Sequence, residues 1–306
     1  MHSRLASERA ARISALLGAL AIAWSSIFVK LSHSSPSTAA IFRCAYAVPV
    51  LLVLAVREDR RYGPRSWADR RAAIASGVFM AIDLVLWHHS IDDVGAGLAT
   101  VLANIQVVLV PLIAWLLLSE RPSARVLVAL PVTLVGVVLI SGVLEQGAYG
   151  HNPIAGAAYG AGAGVAYVGV LLLLRRGGID LRRPAGPLFD LTLTSAIVAG
   201  AIGAAWGDAR FVPVWPGAWW LITLALTSQG LGWLLITMSL PRWPAALTSL
   251  LLMIQPIGSM VLGAIIFGES PSVLQLVGVL VVLGAVIYAA RRVSGTDPVT
   301  ALEVAG

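Results

Sequence analysis

The stretch LATVLANIQVVLVPLIAWLLLSERPS, residues 98–123, occurs a second time as LTSLLLMIQPIGSMVLGAIIFGESPS, residues 247–272. The two copies align without a gap, and seven of their 26 positions are identical. The identical positions include two polar pairs that an apolar composition does not explain, Gln106 with Gln255 and Glu120 with Glu269. A repeated membrane segment is typical of a chain built from two copies of one helical bundle.

The chain is too apolar for a water-soluble globule of its length. Hydrophobic residues make up 58% of its 306 residues, charged residues make up 12%, and the mean hydropathy is +0.87. A run of about 17 to 25 apolar residues can cross the bilayer as one helix. Ten such runs lie near 13–30, 37–56, 72–90, 95–118, 126–142, 153–174, 187–206, 217–239, 244–267 and 272–290. The predicted fold class is therefore all-α, a polytopic membrane protein with ten transmembrane helices.

The spacing of the repeat predicts how its two copies are oriented. Gln106 and Gln255 are 149 residues apart, a distance that contains five predicted helices. Because five is odd, the second copy enters the membrane from the opposite side, and the copies are inverted repeats. The predicted organisation is a first five-helix repeat in residues 1–142, an outer connecting loop in 143–152, a second repeat in 153–290 and a short cytoplasmic tail in 291–306.

Basic residues predict the orientation of the chain. With the amino terminus in the cytoplasm, 18 of the 21 Lys and Arg residues fall in inner loops, and only Lys30 and Arg210 fall in outer loops. This distribution predicts a protein of the bacterial inner membrane with both termini cytoplasmic. The formal net charge of +6 resides in short loops beside membrane spans, so the expected partners are membrane lipids rather than nucleic acid.

Three features together resemble the EamA-type members of the drug/metabolite transporter superfamily. The first is an arginine early in span two (Arg43). The others are a proline and a glutamate that close span nine (Pro256 and Glu269) and a glutamate at the equivalent position of span four (Glu120). The resemblance covers residues 13–290. It implies two inverted five-helix halves, a central substrate cavity and transport of small metabolites, often export of amino acids. The proline of the first half is Pro111, one turn later than the resemblance implies, so the kink in span four is expected to be displaced.

Charged side chains inside the spans are the first functional candidates. An Asp or Arg at the centre of a span costs at least about 2.5 kcal/mol on insertion scales. Arg43 in span two and Asp83 in span three lie at similar depths. Two interpretations remain open, a structural ion pair and a substrate clamp. In the second interpretation Asp83 also exchanges protons, which would then be the coupling ion.

A tryptophan follows a polar residue by four positions in both halves, Trp87 after Asp83 and Trp233 after Gln229. Residues four apart share a helix face, so each pair can line one cavity for an amphipathic solute. The alternatives are that the tryptophans fill space between helices and that the buried amides bond neighbouring helices. The predicted substrate-binding residues are Trp24, Arg43, Asp83, Trp87, Asn104, Gln106, Gln229, Trp233 and Gln255. The residues predicted to have a gating or structural role are Pro111, Glu120, Pro256 and Glu269.

The sequence contains no motif for the common reactive or phosphate-binding sites. We find no His-Glu-x-x-His, no Gly-x-Ser-x-Gly and no Gly-x4-Gly-Lys sequence, so no enzymatic activity and no cofactor are predicted. His88 and His89 are followed by Asp92 and Asp93, but adjacent residues point about 100° apart on a helix. We therefore predict no metal site.

The predicted function is that of a secondary transporter for a small metabolite. We expect it to export an amino acid or a related amine-bearing compound by alternating access around a central cavity. A facilitative pore and a non-transport structural or lipid-handling membrane protein are the alternatives. Gly156, Gly160 and Gly164 recur every four residues in span six, and this pattern suits close helix contact within the bundle or in a dimer. The expected state is a monomer or a weak homodimer.

Overall fold

The computed structural model describes residue 13 and residues 16–118, 122–176, 182–239 and 245–290, and within these ranges every regular element is a helix. The first six are α1 (Leu16–Leu31), α2 (Pro36–Tyr62), α3 (Trp67–Ala103), α4 (Gln106–Leu118), α5 (Ala124–Ile140) and α6 (Pro153–Arg176). The remainder are α7 (Ala185–Trp206), α8 (Gly217–Leu224), a π-helical segment (Ala225–Gly232), α9 (Trp233–Ser239), α10 (Ala245–Phe267) and α11 (Val273–Ala290). The all-α prediction is confirmed.

Five helical stretches are long and apolar enough to cross a membrane. They are Pro36–Tyr62, Trp67–Val110, Pro153–Leu174, Ala185–Trp206 and Gly217–Leu235. Shorter apolar helices occupy Leu16–Leu31, Ala124–Ile140, Gln255–Phe267 and Val273–Ala289. Each predicted apolar run therefore falls on helix, while the number of ten crossings and the boundaries of the two repeats stay predictions.

Gly95 separates spans three and four inside the long helix α3. Its backbone has φ 86° and ψ 168°, a conformation that glycine adopts because it has no Cβ. The helix resumes at once on the far side, so residues 96–103 form the first part of span four. The carboxylate of Glu269 lies directly against this bend, since a Cβ added at Gly95 would approach its Cδ to 2.8 Å.

Span four is interrupted a second time before α4 begins. Asn104 is the C-cap of α3, and α4 starts at Gln106 and continues through Pro111. The helix is therefore interrupted at residues 104 and 105, about two turns before Pro111, and a kink at the proline itself stays a prediction. Asn104 can end the helix because its side chain competes for backbone hydrogen bonds.

The two halves of the chain pack together through corresponding spans. Span two meets span seven in the contact of α2 with α7, and span five meets span ten in the contact of α5 with α11. The contact of α3 with α10 pairs span four with span nine, and within it Gly97 lies against Met260. The glycines of α6 pack on α3 of the same chain, where Gly156 faces Val94.

Candidate functional site

A buried arginine lies at the contact between the two halves. Arg43 on α2 is 3% exposed. Its Nε donates to Oε1 of Gln229 at 2.9 Å, and its Nη1 donates to Oγ of Ser25 at 2.9 Å. Its guanidinium carbon also lies 5.7 Å from the ring centre of Trp87. Both hydrogen-bond acceptors are neutral, so they fix the position of the guanidinium but do not neutralise its charge.

Gln229 lies on the π-helical segment that interrupts span eight. Such segments are rare and frequently mark functional sites. The residue is fully buried, and its Nε2 donates to Oγ1 of Thr192 at 3.2 Å while its oxygen accepts from Arg43. Gln229 was predicted to contact substrate, but in this conformation both of its polar atoms face the protein. Its contact with substrate stays a prediction, and in this conformation Gln229 orients the guanidinium of Arg43.

Asp83 on α3 is a buried carboxylate within span three. It is 7% exposed, and no described residue forms a hydrogen bond or an ion pair with it. The carboxylate lies near Arg43 and Tyr167. Neither of its oxygens is fully buried from solvent. The direct Arg43–Asp83 ion pair, one of the two interpretations of the sequence, is not formed. The arginine donors are directed to Gln229 and Ser25 instead.

Aromatic side chains from both halves lie near these charges. Trp87 is buried against Arg43, and Trp233 on α9 lies with its ring centre 6.0 Å from that of Tyr167 on α6. Tyr167 in turn lies near both Arg43 and Asp83. Trp24 is 38% exposed, and its ring stacks on that of Phe28 with the centres 5.7 Å apart.

The other three predicted amides differ in their surroundings. Asn104 is buried, and its Nδ2 donates to the carbonyl oxygen of Thr100 at 2.7 Å on its own helix. Gln106 and Gln255 are partly exposed, and no hydrogen bond joins either side chain to another described residue. In this conformation Asn104 stabilises a helix end, while the two glutamines have no side-chain hydrogen bond within the described part of the chain.

Glu269 follows the end of α10 and is held by three groups. Its carboxylate accepts from the backbone amides of Ala96 at 2.8 Å and Gly97 at 3.2 Å, and it forms an ion pair with Lys30 at 2.7 Å. Its role in gating or structure stays a prediction, as does that of Pro256, which is buried within α10. Glu120 lies outside the described residues, as does the side chain of Pro111.

Three residues of this arrangement were not identified from the sequence. Ser25 is a common small residue in span one, and Tyr167 is one of two tyrosines in an apolar span. Lys30 was assigned to an outer loop because it ends an apolar run. Only the spatial arrangement shows that these side chains contact or face Arg43, Asp83 and Glu269.

The histidine pair at the end of span three is engaged with its neighbours. Nδ1 of His88 lies 3.1 Å from the carbonyl oxygen of Pro36, and Nε2 of His89 lies 3.6 Å from a carboxylate oxygen of Asp208. Across the ranges that the structure describes, no group of three or more His, Cys, Asp or Glu side chains is placed to hold a metal ion.

The apolar helices and the buried charges between them define an integral membrane protein with a polar site inside its bundle. The sequence pattern of the EamA-like transporter family matches residues 10–142 and again residues 154–291, and the chain belongs to this family. The resemblance to the drug/metabolite transporter superfamily and the two-repeat architecture are thereby confirmed. The protein is a membrane transporter and not an enzyme.

Comparison with solved structures agrees on the fold. Eighteen solved chains match. One of them, described only as "Crystal structure of protein", superposes with a TM-score of 0.59 over 94% of this chain and 100% of its own, at 17% sequence identity. At this identity the similarity supports the fold alone. No curated protein matches the chain.

Proposed function

We propose that this transporter exports an amino acid or a related amine-bearing compound, by alternating access around a cavity that contains Arg43 and Asp83. One observation carries the proposal. The Asp83 carboxylate has no direct partner among the described residues, and the nearby guanidinium of Arg43 donates its hydrogen bonds to neutral groups. Two opposite charges that do not bind each other are complementary to a zwitterion. The substrate carboxylate would bind Arg43, and its ammonium group would bind Asp83.

The energetic argument favours a charged ligand over an apolar one. Burial removes both side chains from water, and that loss of hydration is not recovered in a direct ion pair. A ligand carrying both charges would restore a partner to each. The faces of Trp87, Trp233 and Tyr167 suit the apolar part of the ligand or its ammonium group.

Alternating access would arise from movement of one half relative to the other. Arg43 is held by Ser25 from the first half and by Gln229 from the second, so this movement would change the position of the cation. Gly95, Asn104 and the π-helical segment interrupt the spans nearby, and such interruptions can absorb backbone rotation. We further propose protons as the coupling ion, with Asp83 binding either a proton or the substrate ammonium group.

Counterflow in proteoliposomes tests this function. Purified protein would be reconstituted into liposomes loaded with each unlabelled L-amino acid in turn, and uptake of the same labelled compound would be measured. A carrier gives saturable uptake that increases with unlabelled compound inside. Arg43→Gln and Asp83→Asn should each raise the KM of this uptake at least about tenfold, while Arg210→Gln, which changes an exposed arginine, should leave it unchanged.

The alternatives predict different results. A facilitative pore would give flux that does not saturate and is not stimulated from the opposite side. A structural or lipid-handling protein would give no flux with any amino acid. Either result would overturn the proposed function.

A further inference from the structure

An ion pair closes the contact between α1 and the end of α10. Nζ of Lys30 lies 2.7 Å from Oε1 of Glu269, and the Lys30 ammonium also lies 4.7 Å from the ring centre of Phe267. Lys30 lies in the last turn of α1, which ends at Leu31, and not in a loop. On the predicted orientation this contact is at the outer side. We call the Lys30–Glu269 contact the outer seal.

The two partners of the outer seal are not equally constrained. The Glu269 side chain is 3% exposed, whereas that of Lys30 is 31% exposed. Glu269 is also fixed by the amides of Ala96 and Gly97, and it fills the space beside Gly95, where a side chain would collide with it. The lysine is therefore the partner that can change its contact, while the glutamate keeps two hydrogen bonds if the lysine leaves.

Lys30 lies on the same helix as a residue that holds the central cation. It follows Ser25 by five positions, which is about 7.5 Å along a helix, and Ser25 accepts from Nη1 of Arg43. Five residues turn a helix by about 140°, so Lys30 faces α10, as Ser26 does, and lies closer to the outer end of α1 than the residue that holds Arg43.

We propose that Lys30 is a second carboxylate-binding residue on the substrate route, and that a substrate carboxylate opens the outer seal by replacing Glu269 as the partner of the Lys30 ammonium. The inference rests on the proposed function, since it requires a cargo with a carboxylate. The exchange replaces one carboxylate by another, so the ammonium stays paired, and Glu269 stays bound to two amides. Neither charge is left buried without a partner, which is the condition that makes breaking an ion pair costly. An amine without a carboxylate cannot make this exchange.

A pair of serines beneath the seal provides a place to observe its opening. Oγ of Ser26 on α1 donates to Oγ of Ser259 on α10 at 3.1 Å, and both residues are almost completely buried. If α1 and α10 separate at Lys30 and Glu269, a thiol at position 26 becomes reachable from outside. The native cysteine, Cys44, is fully buried and would be removed by Cys44→Ala.

The experiment measures the rate at which a cationic methanethiosulfonate reagent labels Ser26→Cys, in the Cys44→Ala background, from the outer side of proteoliposomes. The probes are L-phenylalanine with phenethylamine and L-leucine with isoamylamine, pairs that differ only in the carboxylate. The amino acid that shows counterflow should accelerate labelling about fivefold, the scale of a partly exposed ion pair. Its amine should leave the rate unchanged.

Two variants test the seal without any cargo. Glu269→Gln and Lys30→Gln should each accelerate labelling in the absence of amino acid, and in both the further response to amino acid should disappear. Glu145→Gln is the matched control, because Glu145 is an outer acid bound by Ser272 and not by Lys30. Monodisperse elution of each variant establishes that it is folded. If one of the two variants is not folded, the other still tests the outer seal.

The outcomes separate this inference from the proposed function. Counterflow of the amino acid with no acceleration of labelling, or equal acceleration by the amine, overturns the carboxylate exchange and leaves the transport function standing. Unchanged labelling in both seal variants overturns the seal itself. Absence of counterflow for every amino acid removes the proposed cargo, and the carboxylate exchange is then rejected with it.

Discussion

The hydrogen bond from Nε of Arg43 to Oε1 of Gln229, 2.9 Å long, joins span two of the first half to span eight of the second. The cation of the candidate site therefore takes its position from both halves of the chain. Because Gln229 is fully buried and also bonds Thr192, any movement between the halves is transmitted to the guanidinium.

Gln229→Leu should destabilise the protein and weaken substrate binding. It removes an acceptor from a buried cation, and a hydrogen bond to a charged group contributes about 2 kcal/mol. We expect a lower melting temperature in detergent together with a higher KM for counterflow.

Gln229→Glu separates these two effects. A carboxylate at this position would pair with Arg43 directly, so stability should be retained while amino acid binding is lost. Thr192→Val is the control, because it removes only the second hydrogen bond of Gln229. If Gln229→Glu binds amino acid normally, Arg43 is not the group that receives the substrate carboxylate.

Asp83→Asn should have little effect on stability and a large effect on binding. The carboxylate forms no direct contact with described residues that the amide would lose. We expect a melting temperature within about 2 °C of the wild-type value, since the change in folding free energy should be a fraction of 1 kcal/mol. Affinity for the amino acid should fall at least tenfold, as measured by counterflow.

A deaminated analogue checks the assigned role of Asp83. The carboxylic acid that lacks only the amine should bind Asp83→Asn and the wild type equally. Strong destabilisation by Asp83→Asn would instead indicate that the carboxylate stabilises the fold.

The sequence predicts the helices of this protein well because apolarity and length are sufficient to define them. Every predicted run falls on helix, and Gly95 separates spans three and four where the apolar pattern changes. The interruption of span four at Asn104 was not predicted, since the sequence drew attention to Pro111 seven residues later. Helix interruptions depend on which neighbour accepts the freed backbone groups, and sequence spacing does not contain that information.

The candidate site could be predicted only in part. Arg43 and Asp83 stand out in an apolar chain because charged residues are costly there. Their relationship could not be predicted, since it depends on Gln229 and Ser25 as competing acceptors from other spans. The roles of Tyr167 and Lys30 could not be predicted for the same reason, because they depend on contacts between residues distant in sequence.

The aromatic residues should contribute to affinity from both halves. Trp87→Leu and Trp233→Leu keep an apolar side chain but remove the ring face, and each should raise KM about fivefold, since a cation–π contact contributes about 1 kcal/mol. The matched control is Trp219→Leu, which changes an exposed tryptophan on α8. Unchanged KM in both cavity variants would show that these rings only fill space between helices.

Gly95→Ala should disturb the outer side of the protein more than Gly63→Ala does. Gly63 has nearly the same backbone conformation, φ 82° and ψ 167° against φ 86° and ψ 168°, but a Cβ there meets nothing within 4 Å. Both substitutions carry the backbone strain of about 1 to 3 kcal/mol.

Only Gly95→Ala also displaces Glu269. We therefore expect the Gly95 variant to have the lower melting temperature and the faster labelling of Ser26→Cys. Equal behaviour of the Gly63 and Gly95 variants would show that the contact with Glu269 has no measurable effect.

The most direct test of the central claim compares three ligands on the wild-type transporter: the amino acid with the greatest counterflow, the amine without its carboxylate and the acid without its amine. Competition for labelled uptake gives the affinity of each. If Arg43 and Asp83 bind opposite ends of one zwitterion, the amino acid should bind at least about tenfold more tightly than either analogue, because each lost charge-assisted contact is worth about 1.5 kcal/mol or more. Equal affinity for all three ligands would contradict the account.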